Sequence, residues 1–206
     1  MSNEQLNYWE QFYSQQDLKF PNYDGWLDDY LHLLSEVNTI IDLGCGNGIN
    51  TIFLEKHKIS PIACDFSKAA LTQLAKLSPK THLLYFDMTT GLPFLDDNID
   101  VVIADLSLHY FSFNITKYVI SEVNRILKPG GMLFCRVNSL KAYEQSSDNI
   151  VLDENYYLID GCTKRFFTKE VLLQLLSEWD NVHITDMFTE KYRLPKPTLF
   201  ASAVKL

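Results

Sequence analysis

The glycine-rich stretch at residues 40–51, I-I-D-L-G-C-G-N-G-I-N-T, most limits what this chain can fold into. An apolar run ending in an acid is followed by Gly44, Gly46 and Gly48. Glycine is the residue that loses most freedom on folding, so it is used where a side chain would clash, at positive φ or against an approaching ligand. The stretch predicts a sharp turn from a buried strand into a helix that begins near Asn50. The free N–H groups and positive dipole end of that helix would face the ligand.

Short apolar runs along the chain predict strands that are buried on both faces, as in a parallel sheet. These runs are residues 37–43, 61–65, 82–87, 100–105 and 131–137. Apolar residues at helical spacing follow Ser67 and Thr116, which are predicted N-caps of two amphipathic crossover helices. Alternating strands and helices predict an α/β fold of Rossmann-like, doubly wound type, with ligands at the carboxyl ends of the strands.

The C-terminal part departs from this alternation. Residues 171–179 read as a helix opened by Thr168, and residues 182–188 and 198–204 read as an antiparallel strand pair that closes the mostly parallel sheet. The segment 138–167 shows no periodicity and is predicted to be a long loop acting as a lid or binding element. We therefore expect a single domain over 1–206. It comprises an N-terminal helical cap (1–36), a cofactor-binding core (37–137) and an acceptor-side part (138–206).

Composition and charge limit the partners. The formal net charge is -8 and the basic residues are scattered, which argues against nucleic acid or an anionic membrane as a partner. No apolar run approaches the roughly 18 residues that span a bilayer, and the N-terminus does not resemble a signal peptide, so a cytoplasmic location is expected. The four cysteines lack C-x-x-C spacing and are expected to be reduced and packed, without a metal.

The spacing of the glycines bears on the ligand. It is G-x-G-x-G, and Ile49 stands where the third glycine of the dinucleotide-binding G-x-G-x-x-G would fall, which weakens a nicotinamide interpretation. Asp65 follows the second predicted strand and is suited to accept hydrogen bonds from both hydroxyls of a ribose. Asp87 and Met88 follow the third strand, where they would meet an adenine.

Several motifs together carry a family resemblance. D-L-G-C-G-N-G, Asp65 in A-C-D-F-S, F-D-M, D-V-V-I-A-D-L-S-L-H-Y-F and L-K-P-G-G occur in the order found in class I S-adenosylmethionine-dependent methyltransferases, which the chain resembles over roughly 39–137. S-L-H-Y-F and L-K-P-G-G are similar to the ubiquinone/menaquinone-type and tellurite-resistance-type enzymes of the small-molecule branch. Such a resemblance identifies the cofactor better than the substrate.

The resemblance implies roles for the cofactor-binding residues. Gly44, Cys45 and Gly46 would line the methionine part, with Asp42 orienting their loop, and Asp65 would hold the ribose. The adenine would meet Phe66, Asp87 and Met88, and the ammonium group would meet the main chain of Asp105 and Leu106. Without a ligand, the same residues would be a tight turn, solvated or capping acids and a core methionine.

Other residues leave alternatives open. His109 is the candidate catalytic base, because an imidazole titrates near neutral pH, although in similar enzymes this histidine often supports its loop. An N-terminal aromatic stripe comprises Tyr8, Trp9, Phe12 and Tyr13. It predicts either a lid over the cofactor or a helix docked on the sheet. As a lid, it would bring Tyr13 into contact with the cofactor. The acceptor pocket is predicted to be shaped by Tyr143, Tyr156, Tyr157 and Arg165.

The expected function is direct in-line transfer of a methyl group from S-adenosylmethionine to a small-molecule acceptor, leaving S-adenosylhomocysteine. The segment after the fourth strand lacks the Asn/Asp-Pro-Pro-Tyr/Phe signature of amino-directed nucleic-acid and glutamine methyltransferases. A metal-dependent O-methyltransferase would need converging carboxylates or amides near the acceptor; Asp105 could be one, but no partner for it is identifiable in the sequence. The rivals are a methyltransferase-like cofactor-binding protein without turnover and a nicotinamide-dependent oxidoreductase; a monomer or homodimer is expected.

Overall fold

The computed structural model describes residues 3–144, 148–190 and 195–206. Its helices are α1 (Asn3–Gln15), α2 (Leu31–Glu36), α3 (Ile49–Lys56), α4 (Lys68–Leu77), α5 (Phe113–Ile126) and α6 (Lys169–Leu175). The strands of the main sheet are β1 (Ile40–Leu43), β2 (Ile62–Asp65), β3 (His82–Tyr85), β4 (Ile99–Asp105), β5 (Leu127–Asn138), β9 (Asp180–Thr189) and β10 (Lys196–Val204). A second sheet contains β6 (Ile150–Asp153), β7 (Tyr156–Ile159) and β8 (Cys162–Arg165).

The main sheet has seven strands in the order β3-β2-β1-β4-β5-β10-β9. The first five strands of the chain pair in parallel, and β10 lies antiparallel between β5 and β9. The predicted Rossmann-like sheet with a closing antiparallel strand pair is therefore confirmed. The order places the carboxyl ends of β1, β2, β4 and β5 side by side at one edge, where such folds bind ligands.

Apolar residues alternate between the two faces of the central strands. On one face Val102 and Leu133 pack with Val123 of α5. On the other, Ile103 and Phe134 pack with Trp26 and its neighbours. Both faces are covered, as a buried parallel sheet requires. Within the described residues, no helix has both the length and the hydrophobicity needed to cross a membrane.

Two of the three predicted helix N-caps, Ser67 and Thr168, are observed, and the third, Thr116, is not. Ser67 and Thr168 each accept a hydrogen bond from the backbone N–H three residues later. The helix expected to start after Thr116 instead begins at Phe113, with Ser112 at its N-cap position. The Thr116 hydroxyl donates to the carbonyl of Ser112 four residues earlier, so this side chain is satisfied inside the first turn and not at a cap.

Strand β3 was predicted to be buried on both faces, and this is wrong. It is the edge strand, its end residues His82 and Tyr85 are exposed, and its central leucines are half-buried. An edge strand has a neighbour on one side only, so helices cover it less completely than the central strands.

The segment 138–167 was predicted to be a loop, and this also is wrong for most of it. After β5 the chain forms the antiparallel sheet β6-β7-β8; residues 145–147 lie outside the described residues. Asn155 has a φ of 53°, and Asp160 and Gly161 have φ values of 52° and 76° at the second turn. An Asp-Gly pair after a short apolar run is a hairpin signal that periodicity alone does not detect.

Candidate active site

A cavity of about 260 Å³ opens at the carboxyl ends of the central strands. It brings together ten of the predicted site residues: Tyr13, Gly44, Cys45, Gly46, Asp65, Phe66, Met88, Asp105, Leu106 and His109. The two other predicted residues, Asp42 and Asp87, do not form part of its wall. Residues from five parts of the chain therefore converge on one site.

The glycine loop forms the floor of this cavity. Gly44, Gly46 and Gly48 have φ values of 75°, 55° and 87°, a backbone conformation that residues other than glycine rarely adopt. A Cβ on Gly46 would overlap the hydroxyl of Tyr13, whereas a Cβ on Gly48 would overlap Leu74 of α4. Gly46 therefore makes room for the Tyr13 hydroxyl at the cavity wall, and Gly48 serves helix packing.

Asp42 lies beneath the loop. Its carboxylate accepts hydrogen bonds from the Thr51 N–H at 3.1 Å and the Thr51 hydroxyl at 2.6 Å. These bonds tie the end of β1 to the first turn of α3. Any effect of Asp42 on a ligand is therefore transmitted through the position of the loop.

Asp65, the last residue of β2, faces the cavity and is only 6% exposed. Its two carboxylate oxygens accept from the Gly46 N–H and the Ser67 N–H, both at 2.8 Å. Burial raises the pKa of Asp65 to about 6, although these N–H groups oppose the shift. A carboxylate has about four acceptor positions. Asp65 therefore retains acceptor capacity for hydroxyl donors inside the cavity.

Phe66 and Met88 add apolar surface next to Asp65. Met88 is buried and opens a short 3-10 turn. Asp87 is the N-cap of that turn: its carboxylate accepts from the N–H and hydroxyl of Thr89 at 2.9 and 2.8 Å. The structure therefore puts Met88 on the cavity wall and Asp87 behind it.

Helix α1 covers the cavity with the aromatic stripe found in the sequence: Tyr8, Trp9, Phe12 and Tyr13 all contribute to the wall. The ring of Trp9 meets that of Tyr110 edge to face, with centroids 4.8 Å apart. The carboxylate of Glu10 accepts from the N–H groups of Lys68 and Ala69 at the start of α4. The helix is thus both docked on the fold and part of the site.

A buried ion network lies behind the wall, and sequence reasoning missed most of it. Arg136 is fully buried on β5 and donates to both oxygens of Asp105 at 2.7 and 3.1 Å, and to both oxygens of Asp24 at 2.8 and 3.1 Å. The guanidinium also lies 4.6 Å from the ring of Trp26. An arginine inside the apolar run 131–137 was the signal, because a buried charge needs a partner.

This network bears on Asp105 itself. Its carboxylate is committed to Arg136 and to the amide of Asn50, 3.2 Å away. The next residue, Leu106, has a φ of 55°, a strained conformation at the turn out of β4. Among the described residues no cluster of three or more His, Cys, Asp or Glu side chains is arranged to hold a metal ion.

His109 lies in the short turn after β4 and is 1% exposed. Its Nδ1 atom has no hydrogen-bond partner among the described residues. Burial holds the pKa of His109 well below its usual value. The ammonium groups of Lys196 and Lys164 add to this effect, and Asp105 opposes it. The imidazole is therefore neutral at physiological pH, and the same burial and positive charges disfavour its protonated form.

The far end of the cavity is formed by residues that were not predicted: Asn138, Cys162, Lys164 and Lys196. None of the four residues predicted to shape the acceptor pocket is part of the wall. Arg165 donates to the carbonyls of Phe111 and Glu154, the hydroxyl of Tyr156 donates to the carbonyl of Tyr110, and the rings of Tyr143 and Tyr157 stack 4.3 Å apart. These four side chains support the second sheet; β8 presents its other face to the cavity.

Residues 41–135 match the family model of the methyltransferase domain. The match covers just under half of the chain. The matched segment contains every predicted cofactor-binding residue except Tyr13, and it also contains His109. The residues at the far end of the cavity follow the matched segment in the chain.

Curated relatives of the chain act on different acceptors according to their names. A tRNA N(3)-cytidine methyltransferase of Danio rerio is 31% identical over 156 residues, covering 67% of this chain and 43% of the relative. A demethylmenaquinone methyltransferase of Staphylococcus saprophyticus is 34% identical over 103 residues, covering 46% of this chain and 42% of the relative. The chain spans less than half the length of these two relatives.

Solved structures agree with the fold. A methyltransferase of Methanosarcina mazei, described as S-adenosylmethionine-dependent, superposes with a TM-score of 0.71 at 20% identity, covering 85% of this chain and 97% of that one. The 1,6-didemethyltoxoflavin-N1-methyltransferase of Burkholderia thailandensis, solved with S-adenosylhomocysteine, gives a TM-score of 0.65 at 16% identity, covering 86% and 75%. At these identities the likeness establishes the fold alone.

Proposed function

We propose that the protein transfers a methyl group from S-adenosylmethionine to a small-molecule acceptor. The observation that carries this proposal is the meeting of the glycine loop and Asp65 on one cavity, both within the segment that matches the methyltransferase domain. The related Burkholderia structure was solved with S-adenosylhomocysteine, which supports this cofactor for the family fold.

The residues present fit the cofactor. Gly44, Cys45 and Gly46 lie on the cavity wall, and the Tyr13 hydroxyl takes the space that a Cβ on Gly46 would need, so Tyr13 would contact the cofactor beside the loop. Asp65 would accept hydrogen bonds from the ribose hydroxyls, and Phe66 and Met88 would pack against the adenine. The main chain at Leu106 would face the methionine end of the cofactor.

When bound, S-adenosylmethionine supplies a methyl group already activated on a sulfonium. The protein then has to align the acceptor, exclude water and receive any proton that the acceptor loses. Alignment alone can lower a barrier by about 7 to 11 kcal/mol, so a covalent nucleophile is not required. The aromatic rings of α1 would exclude water and present π faces to the positive charge.

We further propose His109 as the group that receives the acceptor's proton. Its neutral ring lies on the cavity wall, in the turn after β4. His109→Asn should lower kcat by about 100-fold or more while leaving the dissociation constant of S-adenosylhomocysteine unchanged. A fall in kcat of less than about threefold would assign His109 to loop support alone.

A small acceptor is favoured over nucleic acid by charge. The chain has a net charge of -8, and the binding of a polynucleotide requires concentrated Lys and Arg. The tRNA-modifying relative is more than twice as long as its part matched here, so we do not assign its tRNA acceptor to this chain.

The test is binding followed by turnover. Calorimetric titration with S-adenosylhomocysteine should give a single site, whereas NAD should not bind; the reverse result would favour an oxidoreductase. A screen of small acceptors and bulk tRNA with methyl-labelled S-adenosylmethionine would then follow. Binding without transfer to any of them would favour a cofactor-binding protein without turnover, and transfer to tRNA alone would refute a small acceptor.

A further inference from the structure

The far end of the cavity carries positive charge in a protein that is otherwise acidic. Lys164, on β8, and Lys196, the first residue of β10, both contribute to the wall. Burial lowers the pKa of Lys196 to about 8. The charge of Lys164 adds to that effect, and Glu144 opposes it. Both ammonium groups also lower the pKa of His109, so they act on the same space.

A buried amide lies in the same region. Asn138 is the last residue of β5, is fully buried and contributes to the cavity wall. Neither its Oδ1 nor its Nδ2 atom has a hydrogen-bond partner among the described residues. Buried polar groups are nearly always paired, so this amide has hydrogen-bonding capacity for a ligand at the cavity wall and for the Thr198 hydroxyl opposite it, which is also unpaired among the described residues.

These groups are distant from the ribose end of the site. Asn138 ends β5 and Asp65 ends β2, three strands apart in the order β2-β1-β4-β5, which corresponds to about 14 Å at the usual strand spacing. Lys196 lies one strand further, on β10, where Thr198 pairs with Asn138. Between the two ends stands His109, in the turn that follows β4.

We infer that the methyl acceptor is a small anion whose carboxylate is bound by Lys164, Lys196 and the amide of Asn138. This inference rests on the proposed function. Two ammonium groups and an N–H donor offer a carboxylate charge-assisted bonds in a buried setting. Among the described residues, the carboxylates whose charge acts on these groups include Glu144, which raises the pKa of Lys196, and Asp105, which is paired with Arg136. A bound anion would offset the repulsion between the lysines and the positive field at His109.

The test uses benzoate and methyl benzoate as a charged and neutral pair of probes, added at up to tens of millimolar to the protein saturated with S-adenosylhomocysteine. Ligand-observed NMR should show benzoate binding and no binding, or at least about tenfold weaker binding, of the ester. The double variant Lys164→Gln/Lys196→Gln should lose at least about tenfold in benzoate affinity, and Asn138→Leu should weaken it as well. Lys80→Gln, an exposed lysine after α4, is the matched control and should leave benzoate affinity unchanged.

The affinity for S-adenosylhomocysteine separates the possible failures. If the wild-type protein does not bind S-adenosylhomocysteine, the proposed function fails. If S-adenosylhomocysteine binds but benzoate does not bind better than its ester, the inference alone is refuted. If the double variant loses affinity for S-adenosylhomocysteine itself while its urea unfolding midpoint is unchanged, the lysines bind the carboxylate of the cofactor. The inference is then also refuted. Lysine-dependent binding of bulk tRNA with no benzoate binding would likewise refute it.

Discussion

Binding of S-adenosylhomocysteine should release a proton from Asp65. Burial raises the pKa of this carboxyl to about 6, so near pH 5 the free protein holds it about nine-tenths protonated. Ribose hydroxyls donate to the ionised form and therefore lower the pKa. If they return it to its usual value of about 4, binding at pH 5 releases about 0.8 proton.

The sign of the pH dependence follows from this shift. Because the ligand prefers ionised Asp65, affinity is weak where the free carboxyl is protonated and rises as pH passes through about 6. Between about pH 5 and pH 7 the dissociation constant should fall by roughly tenfold. Calorimetry in buffers of different ionisation enthalpy measures the proton release directly.

One variant tests the role of Asp65 in this measurement, and a second serves as its control. Asp65→Asn should bind more weakly and show no proton release, whereas Asp96→Asn, an exposed acid, should behave as wild type. Wild-type protein that binds with the same affinity at pH 5 and pH 7, and releases no proton, would refute the assignment of Asp65 to the sugar.

Two further predictions concern the loop and the ion network. Gly46→Ala should weaken the binding of S-adenosylhomocysteine by at least about tenfold, because alanine disfavours the positive φ at this position and its Cβ would overlap the Tyr13 hydroxyl. Adding Tyr13→Phe to this variant should restore part of the lost affinity. Equal dissociation constants by calorimetry would contradict this. Arg136→Met should lower the free energy of unfolding by about 3 to 5 kcal/mol in urea titrations, because it leaves the carboxylates of Asp24 and Asp105 buried and unpaired. A loss below about 1 kcal/mol would argue against this network.

The parts of the structure that local sequence determines were predicted well. The strand ending at Leu43, the glycine loop and the acid at Asp65 each follow from a short run of residues, and they support a resemblance that the family match confirms. Position in the sheet was predicted less well. The apolar run that forms β3 resembles the central strands, and only its place at the edge makes it exposed.

The residues at the far end of the cavity were missed for a different reason. Asn138, Lys164 and Lys196 meet only because β5, β8 and β10 pack around one cavity, and their separation along the chain gives no periodic signal. Aromatic composition pointed instead to Tyr143 and Tyr157, which stack on each other in the supporting sheet. Contacts between distant segments are therefore the part of this site that one sequence alone does not reveal.

The place of β10 has a consequence for the newly made chain. Strand β9 is synthesised before β10, yet among the described residues its main-sheet partner is β10, which also covers β5. Until residues 196–204 leave the ribosome, the backbone of β5 has unpaired N–H and C=O groups that another chain can join. Completion of the main sheet, and protection of this edge from aggregation, therefore wait until residues 196–204 have been translated.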